Sequence, residues 1–589
     1  MEIQGRAAHA PGRLSDAVAW AWARRWAALA FATVLIVAAL VVDAQPVRSP
    51  WWTYADADAS YAGSALNMML GRPVTFVDHP GLPITEAAAV AFGAEALLEE
   101  HSLSESARLA FVDRTMLDLD RARGTFRGLA MVFYMAGALL SFLLAARLFR
   151  HWTWGLSAGL LWIAAPGLVA MSIQLRPDVL LTVLCIVFAF AIARALERRS
   201  AAAYCAAAFL VGFAVMVKLH AFGLLPALAL ASLWRPAAEQ DVAGLPRRAN
   251  AWARSHAALA AAACFVWLAA ALSVNVAHLP FSLTAGQAEL GVLLAGTLVV
   301  ALGLTRLDVL RFYTALVACF AAGMLFPVTI DVPDGLRALV YLTKNLSGQG
   351  VQEGVKPFST PFSDLQSIVG TQVMLVFFLA LVAGFLGLAR RNPLPVVWTV
   401  GALAMGVMAF ARPPNVHYFA PAFVFASFSL LWMLRREPRT ALPLLAWPVV
   451  LYLMWPAWRD REGPAAEQAR FAGVVEPAKR YVDSRLQPGE IALVPSYWPF
   501  ADSRYFELVQ IYADHTPAYP YRYLPTTAGT RPFAQLRGLR PRFFIGPQAA
   551  TGGLQRVQLG DLGVYSIRKA PGGDIVADIE SGPGVTESW

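Results

Sequence analysis

The sequence predicts a polytopic α-helical membrane protein of about thirteen transmembrane helices, followed by a mixed α/β domain outside the membrane. Three observations predict it. Of 589 residues, 58% are hydrophobic and only 15% charged, where soluble domains carry about a quarter charged residues. Apolar runs of about 20 residues, the length that crosses a bilayer, recur along the chain. Arginines concentrate in alternate loops, the pattern left when every second loop faces the cytoplasm.

The candidate spans lie near 26–43, 128–147, 155–173, 178–196, 201–217, 219–234, 256–277, 286–304, 309–330, 367–389, 394–411, 417–434 and 440–457. The stretch before the first is too long and too polar for a cleaved signal peptide, so span one reads as a retained anchor. With the N-terminus cytoplasmic, the inner loops hold Arg24, Arg25, Arg147, Arg150, Arg198, Arg199, Arg235, Arg247, Arg248, Arg254, Arg306, Arg311, Arg390, Arg391, Arg435, Arg436 and Arg439. The short outer loops hold Arg176, Lys218 and Arg412, one apiece. The net charge of +9 is therefore a topology signal, and no nucleic-acid partner is expected. The expected location is the cell (inner or plasma) membrane. Cys185, Cys205, Cys264 and Cys319 all sit in apolar stretches and read as small buried hydrophobes, not disulfides.

This topology divides the chain into a transmembrane part, 1–457, and an extracytoplasmic domain, 458–589. The domain carries the strand-like runs "EIALVPSYW", "FELVQIYA" and "RFFIGPQ". Two further segments face outward: a first external loop over 44–127 and a second over 331–366. In the first loop, 84–127 reads as amphipathic and suited to lie along the interface. Lys344 and Lys356 of the second are solvated or contact substrate, and the triplet "NLS" at 345–347 reads as a chance sequon.

The acidic residues of the first loop fall in "DADASYAGSALNMMLGRPVTFVDHPGLP", residues 56–83. "ASYAGSALNMMLG" predicts a helix that Gly71 ends. Asp58 stands at its start, where a carboxylate caps backbone N–H groups. Asp56 lies two residues earlier. Two readings stand: a plain N-cap, or a carboxylate pair that binds a divalent cation or serves as a base.

The order of elements in this stretch resembles the GT-C class of membrane glycosyltransferases, nearest to the protein O-mannosyltransferases and the lipid A aminoarabinose transferase. Such proteins carry an acidic pair, a tyrosine and a helix in the first external loop, then a Gly and a (His/Lys)-Pro-Pro-Leu-like element. Asp58, Tyr61, Gly71, His79, Pro80 and Leu82 are in register with it. There are two departures. The acidic pair is spaced as Asp56-x-Asp58, closer to the oligosaccharyltransferase motif, and the second proline is Gly81. Further along, "QLRPDVLL" with Asp178, "GFAVMVKLHAFGLLP" with Lys218, and "RPPNVHYFAPAF" with His417, Tyr418 and Pro421 resemble later elements of the class.

The resemblance implies transfer of a sugar from a polyprenyl-phosphate donor to a protein, glycan or lipid acceptor at the outer face, with inversion. It implies Asp58 as catalytic base, with Asp56 assisting or both holding a Mg or Mn ion. Substrate would be bound by His79, Tyr61, Asp178, Arg176, Lys218, His417, Tyr418 and Arg412. Plainer roles stand beside these. Lys218 suits a snorkelling anchor, His417 and Tyr418 an interfacial belt, Asp178 a cap on span four, and Arg176 a partner for Asp178. Two rivals are a catalytically degenerate binding or scaffold subunit and a transporter. The spans' middles, almost free of ionisable residues, speak against the transporter.

Overall fold

The computed structural model describes residues 13–43, 58–72, 74, 81–117, 119–165, 167–172, 174–198, 200–233, 308–330, 332–346, 364–410 and 414–435, and six strands between 490 and 580. Among the described residues up to 435 every regular element is helical. The α-helices are α1 (Arg13–Asp43), α2 (Asp58–Met69), α3 (Leu82–Glu100), α4 (Glu105–Leu117), α5 (Leu119–Phe149), α6 (Trp152–Ile163), α7 (Leu168–Met171), α8 (Pro177–Arg198), α9 (Ala201–Val217), α10 (Leu225–Ser232), α11 (Asp308–Val328), α12 (Val332–Leu346), α13 (Leu365–Ala389), α14 (Pro393–Met408) and α15 (Ala420–Leu434).

Among the described residues four helices are long and apolar enough to cross a membrane alone, or five if the bent α13 counts as one span. Four shorter apolar helical stretches accompany them. The predicted spans at 256–277, 286–304 and 440–457 lie outside the described residues. Predicted span three is not one helix: α6 stops at Ile163 and the chain passes through left-handed Gly167 before the single turn of α7. Predicted span six likewise opens with a 3₁₀ segment, Leu219–Leu224, before α10. Span thirteen aside, every predicted span from nine onward falls on a helix, with α13 kinked at Gly370.

One continuous apolar core runs through the bundle from α1 to α15. Helices in lipid gain no hydrophobic drive from meeting one another, so close packing must hold them. The α9–α11 crossing shows how. A Cβ on Gly212 would strike the carbonyl of Phe320, and one on Gly323 would strike the carbonyl of Phe209. Each glycine faces the residue three before the other, so the backbones touch. Aromatic pairs, Tyr204–Phe312 at 5.6 Å and Phe209–Phe326 at 6.0 Å, flank the crossing.

The segment read as the first external loop folds on its own small core. Tyr61, Ala62, Ala65, Leu66 and Met69 of α2 pack on Ile84, Ala88, Phe92 and Ala96 of α3, with Phe111 and Val112 of α4 and Phe126 of α5. Apolar residues on α3 recur every four positions, which makes one helical stripe. Its other side exposes Val90, Leu97 and Leu98. α2 ends in a Schellman turn, with Gly71 N–H donating to Met68 O and Arg72 N–H to Asn67 O, as the terminal glycine predicts. Arg108 Nη1 on α4 donates to Met69 O at 2.7 Å and satisfies a further carbonyl of that end.

The six strands are β1 (Glu490–Val494), β2 (Tyr523–Pro525), β3 (Arg540–Ile545), β4 (Arg556–Gln558), β5 (Val564–Lys569) and β6 (Val576–Glu580). They form one mixed sheet in the order β2-β1-β3-β6-β5-β4, parallel at β2-β1-β3 and antiparallel beyond. β1 and β3 coincide with the predicted runs "EIALV" and "RFFI"; "FELVQIYA" lies outside the described residues, as does any helix of 458–589.

Candidate functional site

Three helix ends meet in one polar cluster. α8 begins at Pro177, a residue suited to a first helical position, and so places Asp178 in its first turn. α9 ends at Val217, and the next residue, Lys218, takes an extended backbone, φ −160° and ψ 137°. The 3₁₀ turn Val416–Phe419 precedes α15 and carries His417 and Tyr418. The three ends thus lie together at one end of the bundle.

Lys218 Nζ donates to Asp178 Oδ1 at 2.6 Å. The residues are 2% and 3% exposed, so the pair is sealed from water. Lys218 Nζ also stands over the Tyr418 ring, 4.2 Å from its centroid, inside the range of a cation–π contact. The rings of His220 and His417 stand beside Tyr418, with centroids 5.1 Å and 4.4 Å away. Arg176 Nη1 donates to His417 Nε2 at 3.4 Å. Gln174, two residues before Arg176, is buried with no partner for its Oε1 among the described residues.

A backbone contact seats the histidine. Gly167, at φ +69°, leads into α7, and a Cβ there would lie 2.6 Å from His417 Cα and 2.7 Å from its N. Only glycine suits a position that is both left-handed and this crowded. The break in predicted span three thus has a use: it lets the chain pass under the 416–419 turn.

This geometry sorts the predicted site residues. Asp178, Arg176, Lys218, His417 and Tyr418 come together. Lys218 is buried and ion-paired, which is not the posture of a snorkelling anchor. Asp178 spends its Oδ1 on Lys218 where a cap would take backbone N–H groups, and Arg176 turns to His417. Tyr61 is fully buried in the core of the first loop. Asp58 opens α2, but its side chain, like Asp56, His79 and Arg412, lies outside the described residues. Among the described residues no group of three His, Cys, Asp or Glu side chains could hold a metal. His220 was missed. Its signal was the spacing in "KLHAF", two residues past Lys218 on a turn too short to carry it away.

The arrangement can do one kind of chemistry well. Arg176, Asp178 and Lys218 together carry one net positive charge, with Asp178 and Lys218 buried beside the Tyr418 ring and Arg176 half-buried next to them. Fixed cations in such surroundings stabilise negative charge on a bound or departing group. Residues 122–244 match the family model for dolichyl-phosphate-mannose-protein mannosyltransferases. The likeness to the GT-C class of membrane glycosyltransferases is borne out by this match. The matched stretch contains Arg176, Asp178, Lys218 and His220; the first-loop motif and the His417 turn lie outside it.

Two solved structures match over most of the chain. The apo form of the Archaeoglobus fulgidus oligosaccharyltransferase is 13% identical over 88% of this chain and 69% of that one, with a TM-score of 0.44. The archaeal oligosaccharyltransferase AglB from the same organism, in complex with an inhibitory peptide and a dolichol-phosphate, is 14% identical over 82% and 63%, with a TM-score of 0.41. No curated protein matches the chain by sequence.

Proposed function

We propose that this protein is a membrane glycosyltransferase of the GT-C class. It moves a sugar from a polyprenyl-phosphate carrier to a protein, glycan or lipid acceptor on the outer face, with inversion at the anomeric carbon. The observation that carries the reading is the buried Lys218–Asp178 pair with Arg176, His417 and Tyr418 around it. Lys218, Asp178 and Arg176 sit inside a stretch that resembles enzymes named for a dolichyl-phosphate sugar donor.

The chemistry asks for two things. The acceptor oxygen attacks the anomeric carbon as the bond from that carbon to the phosphate oxygen breaks. The phosphate leaves with the electron pair, so cations must meet it, and Arg176 and Lys218 supply them. Arg412 belongs to the same role. The acceptor's proton needs a carboxylate within hydrogen-bond reach, and Asp58 is assigned to take it, with Asp56 beside it. A Mg or Mn ion held by Asp56 and Asp58 would add charge stabilisation at the same place. His79 and Tyr61 complete the first-loop motif. Asp178 keeps Lys218 oriented and charged.

The test uses the full chain in lipid nanodiscs with radiolabelled polyprenyl-phosphate sugars and a membrane extract as acceptor. Label should pass to the acceptor fraction. Asp58→Asn should lower the rate by about 10²–10⁴-fold, the usual contribution of a general base. Chelation followed by Mg or Mn addition decides the cation. Full transfer by both Asp58→Asn and Asp56→Asn would end the base assignment. Tight binding of polyprenyl phosphate with no turnover would favour a scaffold subunit instead.

A further inference from the structure

Helix α12 of the second external loop makes a contact the site does not use. Asp334, 1% exposed in its first turn, accepts a hydrogen bond at 2.6 Å from the backbone N–H of Val74, 260 residues earlier. Arg337, one turn on, donates to Asp334 Oδ1 at 3.0 Å and to Val74 O at 3.4 Å. Both backbone groups of Val74 are thereby held by one carboxylate–guanidinium pair. Val74 lies between the Schellman turn that ends α2 and Gly81, which opens α3. It is therefore placed on the stretch that carries the His79-Pro80 element.

Beneath this clamp lies a separate apolar cluster. Leu82 of α3, Met216 of α9, Val328 of α11, and Leu336 and Ala338 of α12 bury one another, with Met68 of α2 and Met324 of α11 against them. Met216 is two residues before Lys218. A Cβ on Gly335 would meet Val328 Cα at 2.6 Å, so α12 sits directly on the end of α11. First loop, second loop and the two helices α9 and α11 thus converge on one joint.

We propose that Asp334 is a positioning residue: with Arg337 it fixes the first external loop against the end of α9 that presents Lys218. This rests on the reading of Lys218 as part of a donor-phosphate site. The carboxylate touches no reacting atom. It acts by holding Val74, on the link between α2 and α3, because a backbone N–H bonded to a buried charged acceptor opens seldom. Precise placement of the base on the acceptor's side of the anomeric carbon, opposite the departing phosphate, is worth large factors in rate, so a loose loop is costly to transfer.

The experiment compares the full chain with Asp334→Ala and Asp334→Asn in nanodiscs, by hydrogen exchange and by binding of undecaprenyl phosphate. Asp334→Ala should raise exchange over 72–81 about tenfold or more, and exchange over 216–220 with it. It should weaken binding of the probe several-fold with the unfolding midpoint of the bundle unmoved. Asp334→Asn, whose amide oxygen still accepts from Val74, should restore most of the protection. Unchanged exchange over 72–81 in Asp334→Ala overturns the clamp. Faster exchange there, with 216–220 and probe binding as in the parent, overturns the positioning role. If the parent chain itself binds no undecaprenyl phosphate, the donor reading fails, while the two exchange windows still decide whether Asp334 couples the loops.

Discussion

At Gly81 a single residue explains a departure from the family pattern. The GT-C element has proline where this chain has glycine. Here Gly81 sits at φ +61°, and a Cβ would run into the Tyr61 ring. Proline is fixed near φ −65°, so it cannot take this backbone. Gly81→Ala should cost about 1–2 kcal/mol for the left-handed backbone alone, and Gly81→Pro more, seen as a lower unfolding midpoint. A stabilised Gly81→Pro variant would show that the turn is not built this way. The Lys218–Asp178 pair makes a second claim. Removing one partner from a buried pair leaves a stranded charge and costs about 3–5 kcal/mol, while replacing both with apolar residues is often neutral. Lys218→Met should therefore destabilise the protein strongly, and Asp178→Leu with Lys218→Met should recover most of the loss, with transfer activity absent in both. Equal stability of the single and double variants would refute the pairing. Each of Asp178, Lys218, His417 and Tyr418 was visible in the sequence, but their partnership was not. The bonds join residues 40 and 241 positions apart, and one sequence carries no record of such contacts.

Elements were legible where hydropathy alone decides them. α5, α8 and α15 fall where apolar runs of the right length predict spans, because the bilayer sets that length whatever the fold does. The failures fall where a helix is interrupted or too polar to cross. Predicted span three breaks at Gly167, since the 416–419 turn needs the space a side chain would fill. α12 falls in the stretch read as the second external loop: Asp334, Arg337 and Lys344 make it too polar for a span, though its apolar residues follow a helical period. Packing between elements leaves a fainter trace still. Gly212 and Gly323 stand in long apolar runs, and only the structure shows that they face one another. Gly212→Leu should force α9 and α11 apart and cost about 1–3 kcal/mol, the usual penalty for overfilling a packed core. Gly124→Leu, at a glycine with nothing within 4 Å of its Cβ, should leave the unfolding curve near the parent's. A Gly212→Leu protein as stable as its parent would mean that this crossing does not hold the bundle.

On the scale of the whole molecule, the arginine pattern and the packing are independent witnesses to one topology. Arginine counting puts the starts of α8 and α15 and the end of α9 outside, and the structure joins those three ends in one cluster. It puts both external loops on that side, and Asp334 bonds Val74. It puts the ends of α5 and α15 inside, and Arg435 stands over the Phe149 ring at 5.8 Å. A wrong assignment of any one of these helices would have had to bring opposite faces of a bilayer into contact. Sidedness relative to the cell is a further step, and it can be measured. In a background without native cysteines, Ser104→Cys lies exposed between α3 and α4, and Ala202→Cys lies exposed at the start of α9. A membrane-impermeant maleimide added to intact cells or spheroplasts should label the first and spare the second until the membrane is permeabilised. The reverse labelling would place the Lys218 cluster in the cytoplasm. A donor presented at the outer leaflet could then not reach it, and the transfer reaction would have to be sought on the other face.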